Sequence, residues 1–222
     1  MTPTVELHNV DALEFMHGLP TAFFDLTIAD PPYGIGKDWK RRRRAAKLYD
    51  DSGYDNERPS KECIEQIIRV SKRWIIWGWN YFVDYLSPTN YLIVWDKMAN
   101  ANQKVMYSKC EIAGTNARVP CNLVSIPWDG YRMGEETGKK KIHPHQKPVA
   151  LYRWLLDWYG QGNGEGELWR TTVFDPFAGS ASLGVACQER GYSYVGCEIS
   201  RVFYEAARKR LGLEHAGRIE LP

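Results

Sequence analysis

Val173-Phe174-Asp175-Pro176-Phe177-Ala178-Gly179-Ser180-Ala181-Ser182-Leu183-Gly184 is the stretch that decides the fold. A short apolar run over Thr172 to Phe174 enters a turn of small residues, and the turn opens a helix over Leu183 to Arg190. Small residues let a backbone approach a ligand closely, and a helix start offers unpaired N–H groups. About 20 residues further on, Glu198 ends the next strand, Tyr192 to Cys197, where an α/β nucleotide site places an acid for ribose hydroxyls. The turn alone also suits a plain strand-to-helix connection without a ligand. Its glycine pattern does not match a dinucleotide site, because Ala181 stands where a second close glycine is wanted. No Gly-Lys-Ser/Thr follows, which excludes a phosphate-binding P-loop.

Outward from this turn, the same alternation continues. A helix over Val202 to Leu211 follows. Upstream, Pro148 starts a helix carrying Leu151, Trp154, Leu155 and Trp158, and Gly160 to Glu167 is a glycine-rich connector. Nearer the amino terminus, Phe24 to Ala29 reads as a strand buried on both faces. A short helix with Leu13, Phe15, Met16 and Leu19 precedes it, closed by Gly18 and Pro20. Ser60 caps a helix with Cys63, Ile64, Ile67 and Ile68 on one face. Trp74 to Trp77 and Tyr91 to Trp95 read as strands flanking a short helix around Tyr81 to Leu86. Residues 97–142 show no sustained period apart from a strand near Asn122 to Ile126. Strands alternating with helices predict an α/β fold, a mainly parallel sheet covered by helices on both faces.

The sharpest chemical signal is Asp30-Pro31-Pro32-Tyr33, at the end of the Phe24 to Ala29 strand. An aromatic amine is a poor nucleophile because its lone pair is delocalised into the ring. Two acceptors aimed at its N–H bonds, the Asp30 carboxylate and the Pro31 carbonyl, would position it and partly localise that pair. Proline supplies a carbonyl without an N–H and holds the backbone rigid. Tyr33 offers a flat face for a base that has left a duplex. Asp-Pro and Pro-Pro are also ordinary turn punctuation, so these four residues alone fit either reading.

Together the motifs resemble those of the amino-methyltransferases of DNA in their β-class order, with the target-base motif early and the cofactor glycine turn late. The resemblance runs over nearly the whole chain. It implies one methyltransferase domain over residues 1–222, with a Rossmann-like, seven-stranded, mainly parallel sheet whose halves are exchanged relative to the common arrangement. It implies S-adenosylmethionine as methyl donor, S-adenosylhomocysteine as product, and no metal. The donor is a sulfonium and already electrophilic, so catalysis would rest on orientation and on stabilising the developing ammonium. Asp30 is that family's usual first residue for adenine-N6 enzymes, and Ser is usual for cytosine-N4 enzymes. Asp30, Pro31, Pro32 and Tyr33 are then the catalytic set. Asp175, Phe177, Ala178, Gly179, Ser180, Glu198 and Ile199 join Asp30 as cofactor contacts. Asn9-Val10-Asp11-Ala12-Leu13 matches the family segment that meets the adenine end through an acid, here Asp11, beside Ala12; Asp11 equally suits a helix N-cap. His143-Pro144-His145-Gln146-Lys147-Pro148 matches the segment over the methionine end, with His143 and Lys147 as contacts and Lys147 suited to a carboxylate. The family often has Thr at the place of His145. His143 and His145 lack a third metal ligand in the sequence.

Whole-chain properties agree with this reading but do not compel it. The 222 residues carry a formal net charge of +2, too little to imply a polyanionic partner. The distribution says more: Lys37, Lys40 and Arg41, Arg42, Arg43 and Arg44 lie in a polar loop, 34–58, directly after Asp30-Pro31-Pro32-Tyr33, and Lys139 to Lys141 form a second cluster. Such runs face solvent. The first could also grip the phosphates of double-stranded DNA beside a turned-out base. Residues 97–142 are the candidate target-recognition insertion, and a second copy of the chain is a candidate partner. Five cysteines without paired spacing predict neither a disulfide framework nor a zinc site. Pro120-Cys121 resembles the nucleophile dipeptide of cytosine-C5 enzymes, but no Glu-Asn-Val segment accompanies it, and Cys121 is expected to be a small buried residue. No signal peptide and no apolar segment of about 20 residues is apparent, which predicts a soluble, cytoplasmic setting. Open alternatives are a cytosine-N4 enzyme and an RNA adenine methyltransferase. A protein-glutamine enzyme usually has Asn in place of Asp30, and a nicotinamide-dependent dehydrogenase is disfavoured by the turn.

Overall fold

The computed structural model describes residues 2–35, 55–87, 89, 91–99, 108–128, 132–160 and 171–213. Among them, eight strands form one sheet: β1 (Val5–His8), β2 (Phe24–Ala29), β3 (Ser71–Trp77), β4 (Leu92–Asp96), β5 (Cys110–Thr115), β6 (Asn122–Ser125), β7 (Thr172–Asp175) and β8 (Ser193–Cys197). Their order is β1-β8-β7-β2-β3-β5-β4-β6. Every neighbouring pair is parallel except β3 with β5 and β4 with β5. One reversed strand therefore sits inside an otherwise parallel sheet.

The expected count of seven strands becomes eight. β1 is four residues long with only Leu7 buried, too little for a period to show. β5 carries Glu111 and Gly114, both poor strand formers, and pairing on both sides overrides that preference. It also means that residues 110–115 and 122–125 of the expected insertion belong to the main sheet.

Among the described residues, five helices cover the sheet: α1 (Ala12–His17), α2 (Lys61–Arg69), α3 (Val149–Tyr159), α4 (Ser182–Arg190) and α5 (Arg201–Arg210). Side chains alternate along the strands. Ile75, Trp77 and Val173 face α3, α4 and α5 through Leu151, Leu155, Leu183, Ala186 and Ala207. Ile76 and Phe174 face α1 and α2 through Met16, Ile64 and Ile67. Burial of both faces is why β2, β3 and β7 read as apolar runs.

Local signals placed most helix starts correctly. Ser60 Oγ accepts from the Cys63 N–H at 3.1 Å, and Cys63, Ile64 and Ile67 are buried, with Ile68 half-buried. The helix expected over Tyr81 to Leu86 is absent; a 3₁₀ turn over Trp79–Tyr81 stands just before it. The backbone bonds here run at i−3 spacing, Tyr81 to Gly78, Phe82 to Trp79 and Tyr85 to Phe82, so no α-helical ladder forms. The Tyr81 carbonyl accepts from Arg58 at 2.7 Å. Cys121 is exposed, not buried as expected, because it precedes the sheet-edge strand β6. Among the described residues, no helix is long and apolar enough to cross a membrane.

Candidate active site

The carboxyl ends of the parallel strands share one edge of the sheet, where open α/β sheets bind ligands. β2 and β7 are hydrogen-bonded neighbours in this edge, with Leu26 opposite Val173 and Thr27 opposite Phe174. The Asp30 segment and the glycine turn therefore leave the sheet side by side, although about 145 residues separate them in the chain.

The glycine turn is built from backbone. Gly179 has φ +51°, and its N–H donates to Glu198 Oε2 at 2.8 Å. The Ser200 N–H donates to Glu198 Oε1 at 2.7 Å. The Glu198 carboxylate thus ties the end of β8 to the turn after β7, and it is 2% exposed. Burial pushes its carboxyl upward against the pull of those two amides. Ala181 adopts φ +52°, a left-handed conformation that glycine would take at less cost. Asp175, at the end of β7, is fully enclosed; burial raises its carboxyl to about 7, opposed by the Tyr194 hydroxyl, which donates to it at 3.1 Å. Ile199, next to the buried Glu198, is 64% exposed. Phe177 is half-buried, and Ala178 and Ser180 are buried in the turn. Asp11 caps α1, its Oδ1 accepting from Leu13 and Glu14 at 2.9 and 3.1 Å, while Ala12 is buried beneath it.

His143 packs over this turn. A Cβ on Gly179 would stand 3.5 Å from the His143 ring, so a side chain there would fill the space between them. The ring meets Phe203 edge-on at 4.3 Å, and its Nδ1 accepts from the His145 N–H at 3.2 Å. Burial, then His145 and Lys147, lower its pKa to about 3, so the ring is neutral.

The Asp30 cluster is built from side chains. Lys147 Nζ contacts Asp30 Oδ1, lies 3.0 Å from Glu111 Oε2 and donates to the Tyr33 hydroxyl at 3.1 Å. These three contacts use all three ammonium N–H bonds. The Tyr33 hydroxyl lies 2.8 Å from Asp30 Oδ1 and 3.3 Å from Glu111 Oε2, and can donate to one at a time. Lys97, just beyond β4, donates to Glu111 Oε1 at 3.0 Å. Burial raises the Asp30 carboxyl, Lys147 opposes this, and Glu111 adds to the rise. For Glu111, burial also acts upward, but Lys147 and Lys97 overcome it and hold the carboxyl at about 2. Burial would lower Lys147, yet its two carboxylate neighbours keep it a cation.

Aromatic rings wall this cluster. Tyr33 stacks on Tyr81 with centroids 5.0 Å apart and planes 14° from parallel. Gly78 is required behind it: its φ is +70°, and an added Cβ would fall 2.2 Å from the Tyr33 ring. Pro31 is buried and Pro32 half-buried. Asp55 Oδ1 accepts from the Tyr33 and Gly34 N–H groups at 2.6 and 3.0 Å, so the far end of loop 34–58 is tied back onto the motif. Tyr33, Gly34, Asn56, Glu57, Arg58 and Tyr81 line an open groove of about 490 Å³ beside it. Arg58 is held by Asp84 at 2.7 and 2.5 Å. Lys37, Lys40, Arg41, Arg42, Arg43 and Arg44 lie outside the described residues.

The sequence carries no motif that singles out Glu111, Lys97, Asp55 or Tyr81. The one available signal was an acid, Glu111, beside the apolar Ile112-Ala113 pair. Among the described residues, no group of three or more His, Cys, Asp or Glu could hold a metal ion.

A mainly parallel sheet that carries a glycine turn, a buried acid and the Asp30 carboxylate along one edge belongs to the α/β methyltransferase class of folds. The family model described as DNA methylase, of the N6/N4 group, matches residues 52–209, and the chain belongs to that family. The match starts downstream of Asp30 and includes Glu111, Lys147, the glycine turn and Glu198. Type II methyltransferase M.HpaI of Haemophilus parainfluenzae is 25% identical, with 93% of this chain and 74% of that protein covered. DNA adenine methyltransferase YhdJ of Escherichia coli (strain K12) is 22% identical, with 90% and 80% covered. Among solved structures, the M1.HpyAVI–SAM complex superposes with a TM-score of 0.58 at 20% identity, covering 94% of this chain and 99% of that one. PvuII DNA methyltransferase (cytosine-N4-specific) gives 0.59 at 14% identity, covering 98% and 89%. These last two likenesses bear on the fold.

Proposed function

We propose that the protein transfers a methyl group from S-adenosylmethionine to the exocyclic N6 amine of adenine in DNA, acting on a base turned out of the duplex. The observation that carries this reading is the Asp30 carboxylate at the end of β2, one strand from the glycine turn after β7, with a hydroxyl and an ammonium already directed at it.

The residues present fit the donor. Glu198 accepts two backbone N–H bonds and keeps further lone pairs for ribose hydroxyls. Exposed Ile199 and half-buried Phe177 offer apolar surface for the adenine ring. Asp11, exposed at the head of α1, suits its polar edge. Asp175, Ala178, Gly179 and Ser180 form the turn, and neutral His143 closes it. Lys147 is the cation for a carboxylate. When bound, the donor supplies an electrophilic methyl on a sulfonium.

The chain's own residues do the rest. Asp30 accepts one N–H of the target amine and the Pro31 carbonyl the other, which aims the nitrogen lone pair out of the ring plane. As the nitrogen gains positive charge, the Asp30 carboxylate stabilises it at short range in a buried setting. One amine proton leaves through Asp30 to solvent. Tyr33 and Tyr81 form the aromatic wall for the base. Lys37, Lys40 and Arg41 to Arg44 would neutralise phosphates, and the parts of residues 97–142 outside the sheet would read the target.

Mass spectrometry of nucleosides from DNA incubated with protein and donor tests the reading. N6-methyladenine is expected; N4-methylcytosine would move the target to the other branch of the family. Asp30→Ala should reduce transfer by at least about 1,000-fold while donor affinity stays within severalfold, since the carboxylate acts on charge that develops during transfer. Unchanged turnover would remove Asp30 from the mechanism.

A further inference from the structure

The Asp30 oxygen that faces the cluster, Oδ1, can take an incoming amine only when one of its present donors gives way. In this structure Oδ1 is engaged by both Lys147 and the Tyr33 hydroxyl. Release of Lys147 into empty space would leave a buried cation unpaired, at high energetic cost. Glu111 provides the alternative. It stands at the start of β5, the reversed strand, with Trp95 of β4 opposite it, so its carboxylate reaches the same sheet edge as the ends of the parallel strands. It contacts Lys147 through Oε2 and Lys97 through Oε1. Asp30, Glu111, Lys97 and Lys147 together balance two negative charges with two positive ones.

Resting on the function proposed above, we infer that Glu111 is a positioning residue for methyl transfer. It anchors Lys147 by a contact independent of Asp30, so that Lys147 can give up Asp30 Oδ1 to the incoming amine without leaving the site. The N–H freed on Lys147 is then available to the donor's carboxylate, while Glu111 and Tyr33 keep the other two. Lys97 balances Glu111, so Glu111 does not draw Lys147 away permanently.

The groups around Asp30 fix what a titration should show. Lys147 reaches it from the segment before α3, and Tyr152 faces Tyr33 from α3 itself. Glu111 comes from β5, Lys97 from beyond β4, Tyr33 from its own turn and Asp175 from β7. Negative charge nearby hinders ionisation of Asp30, and positive charge favours it.

The experiment compares Glu111→Gln and Lys97→Met with wild type, measuring kcat and KM for donor and DNA across pH, with Asp30→Asn as control. Glu111→Gln is expected to lower kcat on the order of 10-fold, to leave the donor KM within about twofold, and to move the acid limb of the rate profile to lower pH. Lys97→Met, which strips a positive charge, should move that limb to higher pH. A merely structural role would move neither limb, and opposite shifts distinguish charge from folding. Wild-type kcat and an unmoved limb in Glu111→Gln overturn the inference. If Glu111→Gln does not fold, an unmoved limb in Lys97→Met does so by itself. An Asp30→Asn control that keeps full activity would instead count against the proposed function.

Discussion

The glycine turn and the Asp30 cluster lie side by side at one edge of the sheet, yet they are held together in opposite ways. The turn is a backbone structure, closed by two amides on Glu198, with small residues where the chain bends. The cluster is a side-chain structure, assembled from four separated segments that contribute Asp30 and Tyr33, Lys97, Glu111, and Lys147. The lesson concerns robustness. Backbone contacts near one strand end survive many side-chain changes, whereas a buried network of alternating charges fails when any one member is removed.

Lys147→Met probes that contrast most strongly. It would leave Asp30 and Glu111 facing one another without their shared cation, and loss of one partner from a buried pair costs about 3–5 kcal/mol. For a chain of this size that is a fall in Tm of roughly 6–20 °C, measurable by calorimetry. A fall under about 2 °C would mean that the cluster is wetter and looser than its contacts indicate.

Asp175→Asn probes the turn side through pH. The Asp175 carboxyl is raised to about 7 in the folded protein by burial. A raised acid stabilises the fold fully below its unfolded pKa, near 4, and that stabilisation is lost as pH rises through the folded value. Between those limits the loss amounts to about 4 kcal/mol at most, three pKa units at about 1.4 kcal/mol each. Denaturant unfolding from pH 4 to 7.5 should therefore show a smaller decline in Asp175→Asn than in wild type. Parallel declines would place the titration elsewhere.

Smaller effects sharpen the comparison. Glu198→Gln replaces one amide acceptor with a donor and weakens ribose contacts. Donor affinity should fall about 10-fold, or about 1–2 kcal/mol, in an isothermal titration, with folding retained; equal affinity would detach Glu198 from the donor site. Ala181→Gly relieves a left-handed alanine, about 1–2 kcal/mol, but loses a buried methyl of about 1 kcal/mol. Thermal unfolding should thus stay within about 1 kcal/mol of wild type, and a large loss would show that the methyl packing dominates.

Legibility in the sequence followed the same division. β2, α2, β7 and α4 were readable because caps, small-residue turns and doubly buried apolar runs are local features. The candidate residues Asp175 and Gly179 stand at the end of β7 and in the turn before α4, Asp11 caps α1, and Glu198 follows β8. β5 was missed because its residues gain strand geometry only from β3 and β4 on either side. Glu111 was missed with it. Lys147 stands in a legible motif, but its pairing with Asp30 and Glu111 is not visible there, because no spacing within the chain relates residues 30, 111 and 147.

From the order of residues alone come the alternation of strands and helices, the position of the turn and its acid, and the chemistry available to an Asp-Pro-Pro-Tyr run. These depend on neighbours a few positions apart, whose steric and hydrogen-bonding preferences act within a single element. Folding decided that β2 lies beside β7 and that one strand runs backwards between β3 and β4. That reversal brings the start of β5 to the edge where the parallel strands end, and so puts Glu111 within reach of Lys147. Contacts of this kind arise from the burial of two sheet faces at once, a property of the assembled chain and of no segment within it.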